Sequence, residues 1–257
     1  MLLGALAVLL TRQITPASAL KAIDLDVILF LFGMFVVGQA MEESGYLSHL
    51  SFRLFGRAKS LNSLLLLIMF STGLLSALLM NDTLAIIGPV MLEIARKSGI
   101  SPKLLLMSLT FSVTIGSVMS PIGNPQNLLI AINGNIANPF VTFLRYLAVP
   151  TLINLFLAYL MVRVFYMGHF RNVSPNHSAE PITDPKLAQL SKVSLIIIVV
   201  LVVAKIITAL LGLGIDFRLT YIALVAALPI ILFSPRRFGV VRRIDWSTLV
   251  SSRRCLS

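Results

Sequence analysis

Two short polar stretches interrupt long apolar ones, and they hold the residues whose types could do chemistry. The first is Met80-Asn81-Asp82-Thr83, and the second is Ser120-Pro121-Ile122-Gly123-Asn124-Pro125-Gln126-Asn127. Asp82 is the only acidic residue between Glu43 and Glu93. A carboxylate at mid-bilayer is costly unless it is paired, solvated or protonated, so it suits proton or cation coupling. Asp is also a good N-cap for a helix that starts after it, and the two roles are compatible. Asn81, Thr83, Ser120, Asn124, Gln126 and Asn127 add neutral oxygens and amide donors. Gly123 and Pro125 allow a helix to unwind and hold it open. Carbonyls freed in this way suit Na⁺, with Asn81, Asp82 and Asn124 as its candidate ligands, and half-helix N-termini suit an anion. Na⁺ or H⁺ is the expected coupling ion, and no cofactor is expected. There is no phosphate-binding glycine loop, so ATP-driven chemistry would need a partner chain. An intramembrane aspartyl protease needs two facing carboxylates and only Asp82 qualifies, so the chain does not read as an enzyme.

The elements that must position these residues are membrane helices. The sequence is 57% hydrophobic and 12% charged with a mean hydropathy of +0.94, which excludes an ordinary soluble domain. Ile23 to Met41 is the first full span, and Glu42 to Ser60 reads as an amphipathic helix in the membrane interface, with His49 at headgroup level. Leu61 to Ser98 carries the first polar break at its middle, and Pro102 to Asn133 carries the second between Ser120 and Asn127. Val141 to Tyr166 crosses back, Met167 to Ser191 is a polar loop, and Val193 to Leu211 and Leu219 to Phe233 are two more spans. A lipid-facing backbone cannot break its helix in the hydrocarbon layer, so such breaks line a protein-enclosed or watery cavity. Two of them about 40 residues apart, made by facing half-helices, are the mark of a secondary transporter.

Charge sets the expected sidedness. The formal net charge is +11, but the basic residues sit in short loops rather than on an aromatic-studded face. They therefore indicate cytoplasmic loops, not nucleic-acid binding. Fourteen Lys and Arg residues, from Arg53 to Arg243, fall on one side, against Arg12, Lys21, Arg145 and Arg218 on the other. Arg53, Arg57 and Lys59 precede the 61–98 segment and Arg96, Lys97 and Lys103 follow it. Both ends then face the cytoplasm, which makes this segment a re-entrant hairpin with Asn81-Asp82-Thr83 at its tip. Lys205 lies within a span, and its stem is expected to reach the outer interface by snorkelling.

Leu79-Met80-Asn81-Asp82-Thr83 and Ile122-Gly123-Asn124-Pro125-Gln126-Asn127-Leu128-Leu129 resemble the motifs of the ion-transporter superfamily. That group contains arsenite permeases, related sodium/proton antiporters, and the dicarboxylate and citrate symporters. The likeness covers roughly Ile23 to Tyr166, including the order of interface helix, hairpin and broken helix. The Asn-Asp pair is closer to the arsenite-permease branch than to the Ser-Asn-Thr motif of the dicarboxylate branch. The resemblance implies two inverted repeats, each with one re-entrant hairpin and one unwound helix. Asn81, Asp82, Thr83, Gly123, Asn124 and Asn127 would then line the first half-site, and Ser120 and Pro125 belong to the same break.

The expectation is an all-α polytopic membrane protein, the first half of an inverted-repeat transporter. Residues 1–22 read as the end of a membrane helix and an outer loop, and 23–166 as the first-repeat core. Residues 167–191 read as a cytoplasmic loop, 192–234 as two membrane helices, and 235–257 as a basic loop and the truncated start of a second repeat. That start is an echo of residues 23–29 in residues 244–250, in opposite orientation by the charge count. The second hairpin is missing from the chain, which is read as a fragment unable to transport alone. The leading function is ion-coupled transport of a small anion such as arsenite. A sodium/proton antiporter and a non-transporting membrane subunit are the alternatives. The expected partners are membrane lipid, a small ion as substrate, the missing C-terminal repeat and a second copy of the chain in a homodimer, with no nucleic acid. The expected location is the cell membrane, with multiple passes.

Overall fold

The computed structural model describes residues 24–81, 87–134, 136–170, 182–213, 217–244 and 246, together with residues 11, 13 and 15. Among the described residues there are helices and no strands. In chain order the helices are α1 (Leu25–Glu43), α2 (Tyr46–Phe55), α3 (Leu61–Leu79), α4 (Gly88–Ser98) and α5 (Pro102–Ser117). They continue with α6 (Pro125–Asn133), α7 (Pro139–Phe165), α8 (Pro185–Leu210), α9 (Leu219–Phe233) and α10 (Arg237–Arg243). Helices α1, α3, α7 and α8 are long and apolar enough to cross a membrane. The protein is an all-α polytopic membrane protein, as its composition requires.

Local sequence starts several of these helices in the same way. Asp24, Asn124 and Asp184 each accept backbone N–H bonds with their side chains at a helix N-terminus, and Pro125 and Pro185 follow the last two at the first helical position. Proline suits that position because its missing N–H would have no partner there and its φ is already helical. This corrects two expectations. The helix expected from Val193 begins at Pro185, so the end of the polar loop is helical. Pro125 does not hold the chain open; it starts α6. Residues 237–243, expected as loop, form the short helix α10.

The helices form two groups. In one, α3 and α5 make the most extensive helix pair, α4 and α7 both pack on α5, and α7 also touches α3. In the other, α1 packs against α9 and α8, α8 against α9, and α10 on α1. Helix α2 lies between the groups, touching α1, α3, α4 and α8. Its face of Leu47, Phe52 and Phe55 is buried while Arg53 is exposed, as the amphipathic pattern requires.

The α3–α5 pair is close because its contact residues are small. A Cβ on Gly116 would fall on the Gly73 backbone, so only glycine permits this approach. Thr72 Oγ1 and Ser112 Oγ stand 2.6 Å apart, and Ser76 Oγ donates to the Val113 carbonyl at 2.8 Å. Small residues and interhelical hydrogen bonds are what hold membrane helices together, since lipid removes the hydrophobic drive between them.

Helix α4 is too short to span, at 11 residues or about 16 Å. It packs on both α5 and α2. Since α2 immediately precedes α3, that contact returns the chain towards the end from which α3 set out. The turn itself, including Asp82 and Thr83, lies outside the described residues. So do residues 1–10, Cys255 and most of the 244–250 echo.

Lys205 reaches the start of α9, beside Arg218 at the end expected to face outside, but it meets protein there. It is 5% exposed, and its Nζ donates to the Phe217 carbonyl and sits 4.9 Å from the centre of the Phe217 ring. Around it, Arg218 pairs with Asp26 at 2.9 Å and Thr220 donates to the Asp26 carboxylate at 3.2 Å. The polar groups at the start of α9 offered the ammonium a nearer partner than the lipid interface.

Candidate functional site

The site is built where two helices stop. Helix α3 ends at Leu79, and Met80, fully buried, takes φ 67 and ψ 148. A non-glycine residue in that region stores strain of roughly 1–3 kcal/mol, which persists only where the surroundings impose it. The turn from Met80 aims the Asn81 backbone N–H at the Gly123 carbonyl, at 3.0 Å. The two polar breaks, more than 40 residues apart in sequence, are thus hydrogen-bonded to each other.

The second break runs from Val118 to Asn124, between the end of α5 and the start of α6. It begins two residues earlier than the sequence implied and ends three earlier, because Asn124 is the cap and Pro125 the first helical residue of α6. Asn124 Oδ1 accepts from the Asn127 N–H at 2.8 Å, and its Nδ2 donates to Ser117 Oγ at 3.2 Å. Ser120 Oγ accepts from the Ile122 N–H at 3.3 Å. Gly123 is required by space, since a Cβ there would collide with the Ser117 carbonyl.

Asn127 has a different role from the expected oxygen donor. The two hydrogens on its Nδ2 are shared among the carbonyls of Ser117, Val118 and Ser120, at 3.3, 3.0 and 2.9 Å. Those carbonyls lost their helical partners at the break, and one amide gathers them. The Ser117 and Ser120 carbonyls also accept from the Ser120 and Gly123 N–H groups, at 3.5 and 3.3 Å, so of the three the Val118 carbonyl keeps a second lone pair. The result is a cluster of oxygens fixed in place by the first turn of the next helix. Neutral oxygens of this kind fit a hard monovalent cation such as Na⁺. Among the described residues no group of three His, Cys, Asp or Glu side chains could hold another metal.

A cavity of about 280 Å³ adjoins the first break. Asn81 and Gly88 form one wall, and Leu106, Leu109, Thr110, Val113 and Thr114 of α5 form the other. No charged side chain lines it among the described residues. An amide and two hydroxyls on an apolar wall can hydrogen-bond a small oxygen-rich solute and offer a bare charge little.

The structure therefore brings together Asn81, Ser120, Gly123, Asn124, Pro125 and Asn127. Gln126 is exposed in the first turn of α6, and Asp82 and Thr83 are outside the described residues. Thr110, Thr114 and Ser117 were missed by sequence reasoning. Their signal was present, since polar residues at spacings of four and three on an apolar helix share one face leading to the break.

A silicon efflux transporter of Oryza sativa subsp. japonica is 37% identical over 144 residues, which is 56% of this chain and 29% of that protein. A transporter named arsB from Dictyostelium discoideum is 24% identical over 176 residues, covering 68% of this chain and 31% of its own length. The inner membrane protein YbiR of Escherichia coli strain K12 is 34% identical over 116 residues, 45% of this chain and 31% of that protein. The chain thus spans about a third of the length of the curated relatives it matches. The description of one family, the citrate transporters, matches residues 1–251, and the chain belongs to that family.

Proposed function

We propose that this chain is the site-bearing part of an ion-coupled secondary transporter of the cell membrane that carries a small oxyacid or its anion. The observation that carries the reading is the 3.0 Å bond from the Asn81 N–H to the Gly123 carbonyl, which joins two helix breaks into one polar site. Broken helices facing each other at membrane depth serve transported solutes and coupling ions. The hydroxyl and amide lining of the adjoining cavity favours a compact solute rich in O–H groups, of which arsenite is the leading example. The names of two relatives, a silicon efflux transporter and arsB, support that class. In this reading Asn81, Asp82 and Thr83 form the tip of a re-entrant hairpin, and Asp82 exchanges a proton or binds Na⁺ as the site opens to either side. The oxygens around Asn124 and Asn127 hold the cation. The rest of the site comes from an inverted second repeat, so the chain alone does not transport.

Two measurements test this. Asp82→Asn keeps the shape and removes the titration. In vesicles carrying the transporter at its relatives' full length, membrane insertion and yield should be normal and pH-gradient-driven arsenite flux lost. Wild-type flux with an unchanged pH profile would leave Asp82 as a helix cap only. Sidedness is tested with single cysteines in a Cys255→Ser background. Those at Lys97, Asn176 and Gly239 should label from the cytoplasm and one at Asn135 from outside. Outside labelling at Lys97 would turn the hairpin into two crossings.

A further inference from the structure

A groove of about 720 Å³ runs between α5 and α7, on a different side of α5 from the cavity at Asn81. Its walls are Met107, Phe111 and Ile115 of α5 and Leu157, Met161 and Phe165 of α7. Only three features break this apolar lining. Lys103 and Tyr166 stand at one end, and Asn154 stands at the other. Lys103 is exposed and forms no ion pair among the described residues. Tyr166 Oη donates to Met107 Sδ at 3.5 Å, which closes the floor of the groove beside the lysine.

The length of the groove identifies its occupant. From Lys103 to Ile115 the α5 wall is about 18 Å long, and from Asn154 to Phe165 the α7 wall is about 16 Å. Half of a bilayer's hydrocarbon core is about 15 Å. Asn154 lies close to the middle of the 27-residue α7, so the groove starts at one interface and stops near the bilayer centre. A transmembrane helix would need a track across both leaflets. A phospholipid needs one leaflet, an apolar track for a chain and a cation for its phosphate. The basic ends of the helices put Lys103 on the cytoplasmic side. We propose that this groove binds one anionic phospholipid of the cytoplasmic leaflet, with its phosphate at Lys103 and an acyl chain lying between α5 and α7. The deep end of that chain lies against Ile115, one residue before Gly116 and the close α3–α5 contact, so the lipid supports the helix that carries the break. The site stands or falls independently of what is transported.

The test uses the 257-residue chain reconstituted with mixtures of brominated phosphatidylglycerol and phosphatidylcholine. Trp246→Phe removes the native tryptophan, and Phe165→Trp puts a reporter at the mouth of the groove. Quenching should show phosphatidylglycerol preferred about five-fold, as expected for one lysine at an anionic headgroup. Lys103→Gln should lower that preference to about two-fold or less, since no other charged side chain lines the groove among the described residues. Ala158→Phe fills the groove and should abolish the preference with Lys103 still present. Equal quenching by the two lipids in the Phe165→Trp chain would overturn the proposal. So would a preference that survives both Lys103→Gln and Ala158→Phe. Absence of quenching by either lipid, with a dimeric mass in detergent, would assign the groove to a second polypeptide and overturn it too.

Discussion

The two helix groups hold together by different means. Between α3 and α5 the contact residues are Thr72, Gly73 and Ser76 on one side and Ser112, Val113 and Gly116 on the other, and their hydroxyls bond across the seam or back to the backbone. Between α1, α8 and α9 the larger side chains of Phe30, Leu31, Met34, Ile198 and Ile222 are buried beside the small Ala223, Ala226 and Ala227. There the polar contacts sit at the helix ends: Asp26 with Arg218 and Thr220 at one, Glu43 with Arg243 and Asp184 with Arg236 at the other. Among the described residues the hydroxyls of Ser191 and Ser194 on α8 are buried with no partner. Helix α5, at 16 residues, is shorter than α1 and α8. A tight, hydrogen-bonded seam supplies what length supplies to α1 and α8.

The contrast is broken most directly at Gly116. Gly116→Ala drives a Cβ into the Gly73 backbone, which no rotamer change relieves. The expected cost is at the upper end for overpacking, about 3 kcal/mol, read as a lost folded fraction in denaturing-detergent titration. Gly33→Ala is the matched change in the other group. Its Cβ would stand 2.7 Å from the Ala223 backbone, a smaller overlap than the 2.2 Å at Gly116. Gly168→Ala, with nothing within 4 Å, is the control for expression. Should Gly33→Ala cost as much as Gly116→Ala, the two groups would not differ in the way argued here.

A smaller effect, confined to the break, is expected at Asn127. Asn127→Leu keeps the volume and removes the amide that gathers the Ser117, Val118 and Ser120 carbonyls. The Ser117 and Ser120 carbonyls keep their turn bonds, and the cost of leaving the Val118 carbonyl unpaired is about 1–3 kcal/mol, less where water reaches it. Hydrogen exchange should accelerate at residues 118–124 while the seam residues of α3 stay protected. Acceleration along the whole of α3 would mean that the break and the seam are one cooperative unit.

The breaks themselves were legible in the sequence because polar residues in a hydrocarbon setting have few explanations. Helix ends were legible only in part. The Asn-Pro and Asp-Pro pairs at Asn124-Pro125 and Asp184-Pro185 were read as loop because proline ends helices, yet after a capping side chain it begins them. The role of Asn127 was out of reach, since sequence does not say which end of an amide meets which backbone group. The Met80 conformation left no trace either, because a methionine at positive φ is imposed by its neighbours and not by its own preferences. Lys205 misled for a related reason. Its rule concerns a lone lysine facing lipid, and Phe217 and the start of α9 lie 12 or more residues further along the chain.

The smallest expected effect is at the ion pairs of the long-helix group. Arg218 Nη1 lies 2.9 Å from Asp26 Oδ2, but the Arg218 side chain is 70% exposed. Water and salt screen such a pair, and exposed pairs of this kind contribute roughly 0–1 kcal/mol. Arg218→Gln should therefore lower Tm by no more than about 2–4 °C for a chain of this size. The loss should vanish in about 1 M salt, where the screening length is about 3 Å. Thr220→Val separates the pair from the hydrogen bond beneath it. Thr220 is buried and its one hydroxyl hydrogen is shared between the Asp26 carbonyl and carboxylate, each at 3.2 Å, so its loss should be similar or larger and insensitive to salt. If Arg218→Gln proves the costlier of the two and stays so in high salt, the ends of α1 and α9 are held by charge after all. The long-helix group would then depend on its end contacts as firmly as α5 depends on its seam.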